Sequence, residues 1–317
     1  MKYIFGPVPS RRLGLSLGVD LLPPKTCNMD CIYCELGRGC GTICRQGEYT
    51  PVDEIKEEIR QVCLEDPRGF DCLTFTASGE PTLHSRLGEL IEFSRHICGK
   101  PVVVLTNAGL SIVKEVRHSL ASADFVLPSL DAATQQVFRR INRPDPCLSI
   151  EEIIEGLQRL KQEMRGQMWL EILFVKGIND SEAEVMALKR AISRIQPDRV
   201  QLNTVVRPPA EEFAKPVPRS RLEQIQGELG AGAEIIVDFS RKLKEGSPLI
   251  LESEILDLLK RRPLSCKDIK ELFGEVEKVD EILSRLLENG IIDRKEVDSD
   301  AFYCTTSQDG SVGEGVS

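Results

Sequence analysis

The sequence predicts an α/β chain in which parallel strands and helices roll into an open barrel, followed by a small winged-helix-like domain. Three observations carry this expectation. Apolar runs of strand length alternate with helix-period segments from about Gly14 to about Val237, the pattern of parallel strands joined by helical crossovers. Two of the inner strands carry polar residues on one face. At 317 residues the chain has room for one large domain and one small one.

Strands are expected at Leu15 to Leu22, Cys72 to Ala77, Val102 to Thr106, Phe125 to Ser129, Met168 to Val175, Val200 to Val206 and Glu234 to Val237. Amphipathic helices are expected near Val52 to Leu64, Leu83 to Ile97, Ser111 to Leu120, Ile150 to Met164, Asp180 to Ile195 and Arg219 to Leu229. Alternation within the strands favours the barrel. In Asp71 to Ser78, residues Thr74, Thr76 and Ser78 share one face, and Leu73, Phe75 and Ala77 the other. In Arg199 to Val206, Gln201 and Asn203 oppose Val200, Leu202 and Val206. A doubly wound sheet is covered on both faces and reads apolar on both, so these polar faces point to a wet lumen. Satisfied Thr and Asn side chains in an ordinary core are the alternative.

Phe239 to Ser247, FSRKLKEGS, reads as a linker. Beyond it, Leu251 to Arg261, Ser265 to Phe273 and Val276 to Glu288 read as three short helices, and Gly290 to Cys304 as two strands around an acidic turn. That is the order of a winged helix. Its third helix sets Lys278 and Arg285 against Glu277, Asp280, Glu281 and Glu288, unlike a helix that enters a DNA groove, so a protein-contact or lid module is expected. Thr305 to Ser317 is polar and Gly-rich, a frayed tail. The expected domains are residues 1–238, a linker 239–247, residues 248–304 and a flexible tail 305–317.

Composition excludes several function classes. Hydrophobic residues make up 41% and charged residues 29%, a globular balance. No apolar run reaches the roughly 18 residues of a membrane-spanning helix. The start, MKYIFGPVPS, lacks the features of a signal peptide, which places the chain in the cytosol. There, eleven cysteines are more commonly metal ligands, catalytic groups or small hydrophobes than disulfides. Net charge is −9, and from Pro248 onward 9 basic residues face 16 acidic ones, which speaks against duplex DNA, because phosphate contacts need Lys and Arg.

Cys27, Cys31 and Cys34 lie in TCNMDCIYC directly after the first expected strand. Three thiolates on one short loop can wrap one corner of a metal centre. Structural zinc and ferredoxin-type clusters each take four protein ligands, so three leave a metal position open to bind and activate something. Cys40 and Cys44 follow closely and could complete a zinc site. A zinc-stabilised winged-helix regulator is thus the non-enzyme alternative.

The loop resembles the CxxxCxΦC motif of the radical S-adenosylmethionine (radical SAM) superfamily, with Tyr33 at the aromatic position. TASGEP, Thr76 to Pro81, is similar to that family's Gly-Gly-Glu motif, with Ser78 in place of the first Gly. Ser129 and Asp131 in PSLDA resemble the polar pair that contacts the ribose, and VKGIND, Val175 to Asp180, the turn after the fifth strand. The resemblance covers about Gly6 to Asp238. It implies a partial (βα)6 TIM-like barrel with a 4Fe-4S cluster at the rim formed by the strands' carboxyl ends. Cys27, Cys31 and Cys34 would hold three irons, and the fourth would chelate the amino and carboxylate groups of S-adenosylmethionine. Glu80, with the backbone around Ser78 and Gly79, would receive the cofactor's ammonium; Ser129 and Asp131 would contact the ribose. Thr106 and Asn107 would touch cofactor or substrate. One electron from an external flavodoxin- or ferredoxin-type reductant would release a 5'-deoxyadenosyl radical that abstracts a substrate hydrogen.

GPVPSRRLG at Gly6 to Gly14 and QLNTVVRPP at Gln201 to Pro209 resemble a branch grouped with wyosine-type tRNA base modification enzymes. This makes a tRNA base the expected substrate, with Gln201, Asn203 and Arg207 as candidate contacts. Arg11, Arg12, Lys25, Arg38, Arg45, Arg139, Arg140, Arg143 and Arg207 recur in candidate rim segments and could receive phosphates; solvated surface charge, or carboxylate partners for the cofactor, is the alternative. Radical modification of a protein partner, bound through the acidic winged helix, is the second reading. No catalytic residue is assigned. Cys40 and Cys44 otherwise read as loop residues or a redox pair, and Cys63, Cys72, Cys98, Cys147, Cys266 and Cys304 as small hydrophobes. His84 reads as a capping or surface residue. Glu171, on the Trp169 face of the fifth strand, points into the lumen or pairs with a helix arginine.

Overall fold

The computed structural model describes residues 1–10, 12–39, 41–65, 69–76, 78–230, 232–236, 252–260, 263–273, 277–297 and 300–306. The expected linker, most of the expected tail, Arg11, Cys40, Ala77 and Val237 lie outside the described residues. The chain divides into two units, Met1–Arg241 and Lys242–Ser317.

In the first unit eight strands form one sheet in chain order: β1 (Ile4–Ser10), β2 (Gly14–Asp20), β3 (Cys72–Thr76), β4 (Val102–Thr106), β5 (Phe125–Pro128), β6 (Gln167–Phe174), β7 (Arg199–Thr204) and β8 (Ala233–Ile235). β1 is antiparallel to β2; β2 through β8 run parallel. The crossovers hold helices α1 (Val52–Glu65), α2 (Leu87–Cys98), α3 (Lys114–Ala121), α4 (Gln135–Ile141), α5 (Ile150–Glu163), α6 (Glu182–Ile195) and α7 (Arg219–Leu229). In a doubly wound sheet the strand order reverses at a switch point. Here it never reverses, so right-handed crossovers leave every helix on the same side, as in a partial barrel of six βα units.

The two faces of this sheet differ as the alternation requires. Leu17, Val19, Leu73, Phe75 and Ile172 pack in one core with Ile59 of α1, Leu90 of α2 and Leu157 of α5. On the opposite face Cys72, Val103, Leu127 and Trp169 form a separate apolar cluster near the strands' amino ends. Trp169 meets Phe125 edge-on at 5.0 Å, and the Arg199 guanidinium lies 4.6 Å from its ring centre. The same face also carries polar pairs. Ser16 and Thr74 share a 2.7 Å hydroxyl bond, and Gln201 Nε2 donates to Glu234 at 2.9 Å.

Two elements escape the sequence pattern. β1 contains Gly6, Pro7 and Pro9, residues that ordinarily argue against a strand but are tolerated at a sheet edge. α4 is a short helix capped by Thr134, which accepts from Val137 N. α2 begins later than expected, because Pro81–Leu83 forms a 3₁₀ turn capped by Glu80. Cys63 and Cys98 are also not isolated hydrophobes: their sulfurs pair between α1 and α2, with Cα atoms 5.1 Å apart.

The second unit holds α8 (Glu252–Leu259), β9 (Leu264–Ser265), α9 (Cys266–Phe273), α10 (Glu277–Glu288), β10 (Ile292–Val297) and β11 (Asp300–Thr305). Its antiparallel sheet has the order β10-β11-β9. Ile255, Leu264, Ile269, Leu286, Ile292 and Phe302 are buried. Ser265 and Asp268 bond each other's backbone N–H reciprocally at the start of α9, a capping box. Arg285 of the acidic α10 is paired with Glu252. Among the described residues no helix of the chain is long and apolar enough to cross a membrane.

α5 crosses the segment after β4 at Gly156, where an added Cβ would stand 2.4 Å from Ser111 C and 2.5 Å from Ile112 N, both backbone atoms. Helix propensity alone favours Ala over Gly by about 1 kcal/mol, but overpacking costs about 1–3 kcal/mol. Gly156→Ala is therefore expected to lower stability in denaturant unfolding; a more stable variant would contradict this packing.

Candidate metal and cofactor site

The loop bearing Cys27, Cys31 and Cys34 leaves the carboxyl end of β2 and is sewn to its neighbours on two sides. On one side Lys25 N donates to Ser78 O, and Glu80 N to Thr26 O at 2.9 Å. An added Cβ on Gly79 would stand 1.9 Å from Thr26 O, so only glycine permits this approach. Ser78, at the preceding position, has room for a side chain and donates its hydroxyl to Asp20. On the other side Asp30 N donates to Asn142 O at 3.0 Å, Ile32 N to Ile141 O at 2.9 Å and Asp145 N to Asn28 O at 3.0 Å. Ile32, fully buried, anchors the middle of the loop.

Cys27, Cys31 and Cys34 are free thiols. Burial, aided by the Glu80 carboxylate, pushes the Cys27 thiol up to about 12. Burial raises Cys31 too, and the facing Cys27 and Cys34 sulfurs add to it. Burial works against the Lys25 ammonium, yet Cys34, Asp30 and Cys27 together hold its pKa above the ordinary value. Two carboxamides reach the sulfurs: Asn107 Nδ2 lies 3.5 Å from Cys27 Sγ, and Asn142 Nδ2 lies 3.4 Å from Cys31 Sγ. Among the described residues the three-donor group with ligand atoms all within 4.8 Å of one another is Cys44, Asp145 and Cys147. The loop cysteines are not gathered around a single ion in that way. They suit a cluster that binds each thiolate through a different iron.

Glu80 is 2% exposed and stands against the same loop. Its Oε1 accepts from Thr82 N at 3.0 Å, Thr82 Oγ1 at 2.6 Å and Thr106 Oγ1 at 2.6 Å; Oε2 accepts from Asn107 N at 2.7 Å. A carboxylate offers about four lone-pair positions, two on each oxygen, so Oε2 keeps room for a further donor. Burial raises the Glu80 pKa despite the bonds from Thr106, Thr82 and Asn107. A cation at Oε2 would favour the ionised form.

Asp131 is 3% exposed. Its Oδ1 accepts from Leu173 N at 2.9 Å, and its Oδ2 from the Tyr33 hydroxyl and, at 2.8 Å, from Asn142 Nδ2. Burial pushes its pKa up to about 6 against those bonds. Asp131 thus braces the loop, and only a limited part of its acceptor capacity is left for a ribose. Ser129, bridged to Glu171 of β6, lines a cavity with Met29, Asn107, Leu130, Asp131 and Asn142.

Several expected site residues are already engaged. Arg12, in the β1–β2 turn, pairs with Glu171, which settles Glu171 on an arginine of that turn rather than of a helix; Asn203 Nδ2 donates to the same Glu171 at 3.0 Å. Arg207 is paired with Glu35 at 3.0 Å, and Glu211 takes both Arg38 and Arg143. Lys25 lies 3.6 Å from Asp30. Each of these cations is thus taken by a carboxylate of the chain, and Arg12, in the turn at the amino end of β2, lies at the opposite end of the strands from the expected rim. Arg45, Arg139 and Arg140 are exposed. Gln201 is buried, and its Oε1 has no hydrogen-bond partner among the described residues.

One further expectation is corrected and one is resolved. Cys44 does not join Cys27, Cys31 and Cys34 in a zinc site. Its sulfur pairs with Cys147, which therefore is not an isolated hydrophobe. His84 takes the capping rather than the surface alternative: fully buried, it is the C-cap of the 3₁₀ turn, its Nδ1 accepts from Arg86 N at 3.3 Å and its Nε2 faces Thr50 O at 3.1 Å. Sequence reasoning missed Asn142 altogether, because a lone Asn in a loop carries no motif. It also missed how Asn179 of VKGIND binds Asp131 O, Leu173 O and Val175 N, at 2.8 Å each.

A family model described as the Radical SAM superfamily matches residues 21–189. The chain is 37% identical over 300 residues to a protein named GTPase Obg from Brachyspira hyodysenteriae, covering 93% of this chain but 44% of that protein. It spans less than half of that relative. It is 32% identical over 311 residues to a UPF0026 protein from Methanocaldococcus jannaschii, covering 96% of each. A solved structure of TYW1 with a lysine-pyruvate adduct bound shares the fold at a TM-score of 0.52 and 16% identity, over 68% of this chain and 74% of that one.

Because Cys27 and Cys31 are held protonated, loading iron onto the apo-protein displaces their protons. Iron and sulfide uptake, followed by charge-transfer absorbance, should rise as pH increases from about 7 to about 9. A flat profile would mean that the thiols are already ionised.

Proposed function

The chain belongs to the radical SAM superfamily, and on that premise we propose that it modifies a tRNA base or another phosphate-bearing substrate at the rim of its barrel. It is an enzyme of that family, using a 4Fe-4S cluster and S-adenosylmethionine and needing an external reductant. The observation that carries the site assignment is the convergence of three free cysteines on a loop that is backbone-bonded to Glu80. When bound, the cluster supplies the electron whose transfer cleaves S-adenosylmethionine to a 5'-deoxyadenosyl radical.

The chain's own residues bind and orient. Cys27, Cys31 and Cys34 hold the cluster in our reading, and Glu80 Oε2 offers its remaining lone pair to the cofactor's ammonium. Ser78 and Gly79 supply backbone beside it, and Ser129, Asn107 and Asp131 border the adenosyl side. Gln201, whose buried Oε1 has no hydrogen-bond partner among the described residues, faces the substrate in our reading, flanked by Asn203 and Arg207 as they are held by Glu171 and Glu35. We place the protein in the cytosol with a flavodoxin- or ferredoxin-type reductant. The tRNA reading rests on the GPVPSRRLG and QLNTVVRPP segments and is supported by the exposed Arg45, Arg139 and Arg140. Radical modification of a protein is the second reading, favoured by the acid-rich second unit, whose winged-helix-like arrangement would serve as a partner-binding module.

The reconstituted, reduced protein should form 5'-deoxyadenosine from S-adenosylmethionine, and Cys31→Ala should form none. Assembly of zinc without iron would refute the assignment. Glu80→Gln removes a charge-assisted contact of about 1.5–3 kcal/mol, so the Kd for S-adenosylmethionine should rise about ten- to a hundredfold in equilibrium binding. The cluster-loaded protein should retard tRNA at low salt. Failure to do so, with a protein captured only when residues 248–317 are present, would favour the second reading.

A further inference from the structure

In the assignments above Asn107 only borders the cofactor and Asn142 has no role, yet each aims a carboxamide N–H at one of the cluster-loop sulfurs. The Asn107 side chain has its orientation fixed. Its Oδ1 accepts from Gly109 N at 2.9 Å, which turns Nδ2 toward Cys27 Sγ at 3.5 Å and Asn28 Oδ1 at 2.7 Å. Two hydrogens thus meet two acceptors. Asn142 is oriented by Asp131 Oδ2, an acceptor 2.8 Å from Nδ2, and its second hydrogen is directed toward Cys31 Sγ at 3.4 Å, with the Tyr33 oxygen at 3.5 Å alongside. The two side chains come from different loops, after β4 and after α4, and converge on two different cysteines.

Amide dipoles pointing at ligand sulfurs stabilise added negative charge, and hydrogen bonding to sulfur is one of the levers that set iron–sulfur reduction potentials. We infer that Asn107 and Asn142 are positioning residues that raise the reduction potential of the cluster held by Cys27, Cys31 and Cys34, and so ease delivery of the electron it needs. The surroundings make this effect strong. Asn142 and the Asp131 that orients it are both buried, and electrostatic interactions weigh more at low local dielectric. Cys34 has the Lys25 ammonium beside it instead, so each of the three ligands faces an N–H donor. This inference rests on the assignment of those cysteines to the cluster.

The test is an anaerobic redox titration of the reconstituted full chain, followed by the electron paramagnetic resonance signal of the reduced cluster, for wild type, Asn107→Ala and Asn142→Ala. Iron content and resonance Raman spectra are measured on the same samples. Both variants should hold wild-type iron, show a more negative midpoint potential and show higher Fe–S(Cys) stretching frequencies, because the sulfurs donate more strongly once the N–H is gone. Asn142 also supports Asp131, so Asn142→Ala could lose the loop. Asn107→Ala and Asn107→Asp then decide, the second replacing the donor with an acceptor and driving the potential lower still. An Asn107→Ala protein with full iron and an unchanged midpoint overturns the inference. A wild-type protein that assembles no cluster overturns the assignment beneath it instead.

Discussion

One buried carboxylate fixes the relation between the barrel and the cysteine loop. Asp131 follows β5, yet it accepts from the backbone of β6, from Tyr33 inside the cysteine loop and from Asn142 at the end of α4. Three pieces distant in sequence are therefore registered against a single side chain. Its position follows from β5 ending at Pro128, after which the chain turns across the rim. Asn179 reinforces the arrangement from behind by bonding the Asp131 carbonyl. The Tyr at the aromatic position of the cysteine motif thus has a stated task here: it delivers a hydroxyl to this carboxylate.

The barrel supports that site by dividing its inner face by height. Near the strands' amino ends Trp169, Phe125 and Leu127 close the interior with apolar packing. Midway along β6 Glu171 accepts from Asn203 and, reaching in from the turn at the amino end of β2, from Arg12. Buried charges are tolerated when paired, and the pairing here brings the β1–β2 turn to β6, on the other side of the sheet order. The loop after β7 is tied to the cysteine loop in a similar way, through Arg207 to Glu35 and through Glu211 to Arg38.

The parts of this design that lie in contiguous sequence were legible before the structure. The cysteine spacing, the GEP segment and the alternation of Thr74 with Phe75 each express a local geometry, namely a loop, a strand end and a pleat. The parts that depend on distant pairing were not. Nothing near Arg207 announces Glu35, and nothing near Cys63 announces Cys98. β1 was hidden because its prolines and glycine obey the rules of an edge rather than of an inner strand. Asn142 was hidden because its value comes only from where α4 ends. The barrel reading succeeded since strand order and lumen polarity are both consequences of periodicity, which a single sequence displays.

The contrast between Ser78 and Gly79 bears on how such a motif diverges. At Ser78 the side chain is accommodated by another side chain, Asp20, and the pair can drift together. At Gly79 the neighbour is the Thr26 main chain, which no exchange of residue can remove. One motif position is therefore open to compensated change over evolutionary time, while the next is closed to it. A lineage that replaces the first glycine of this motif retains its loop contact, whereas any replacement at the second must rebuild the loop.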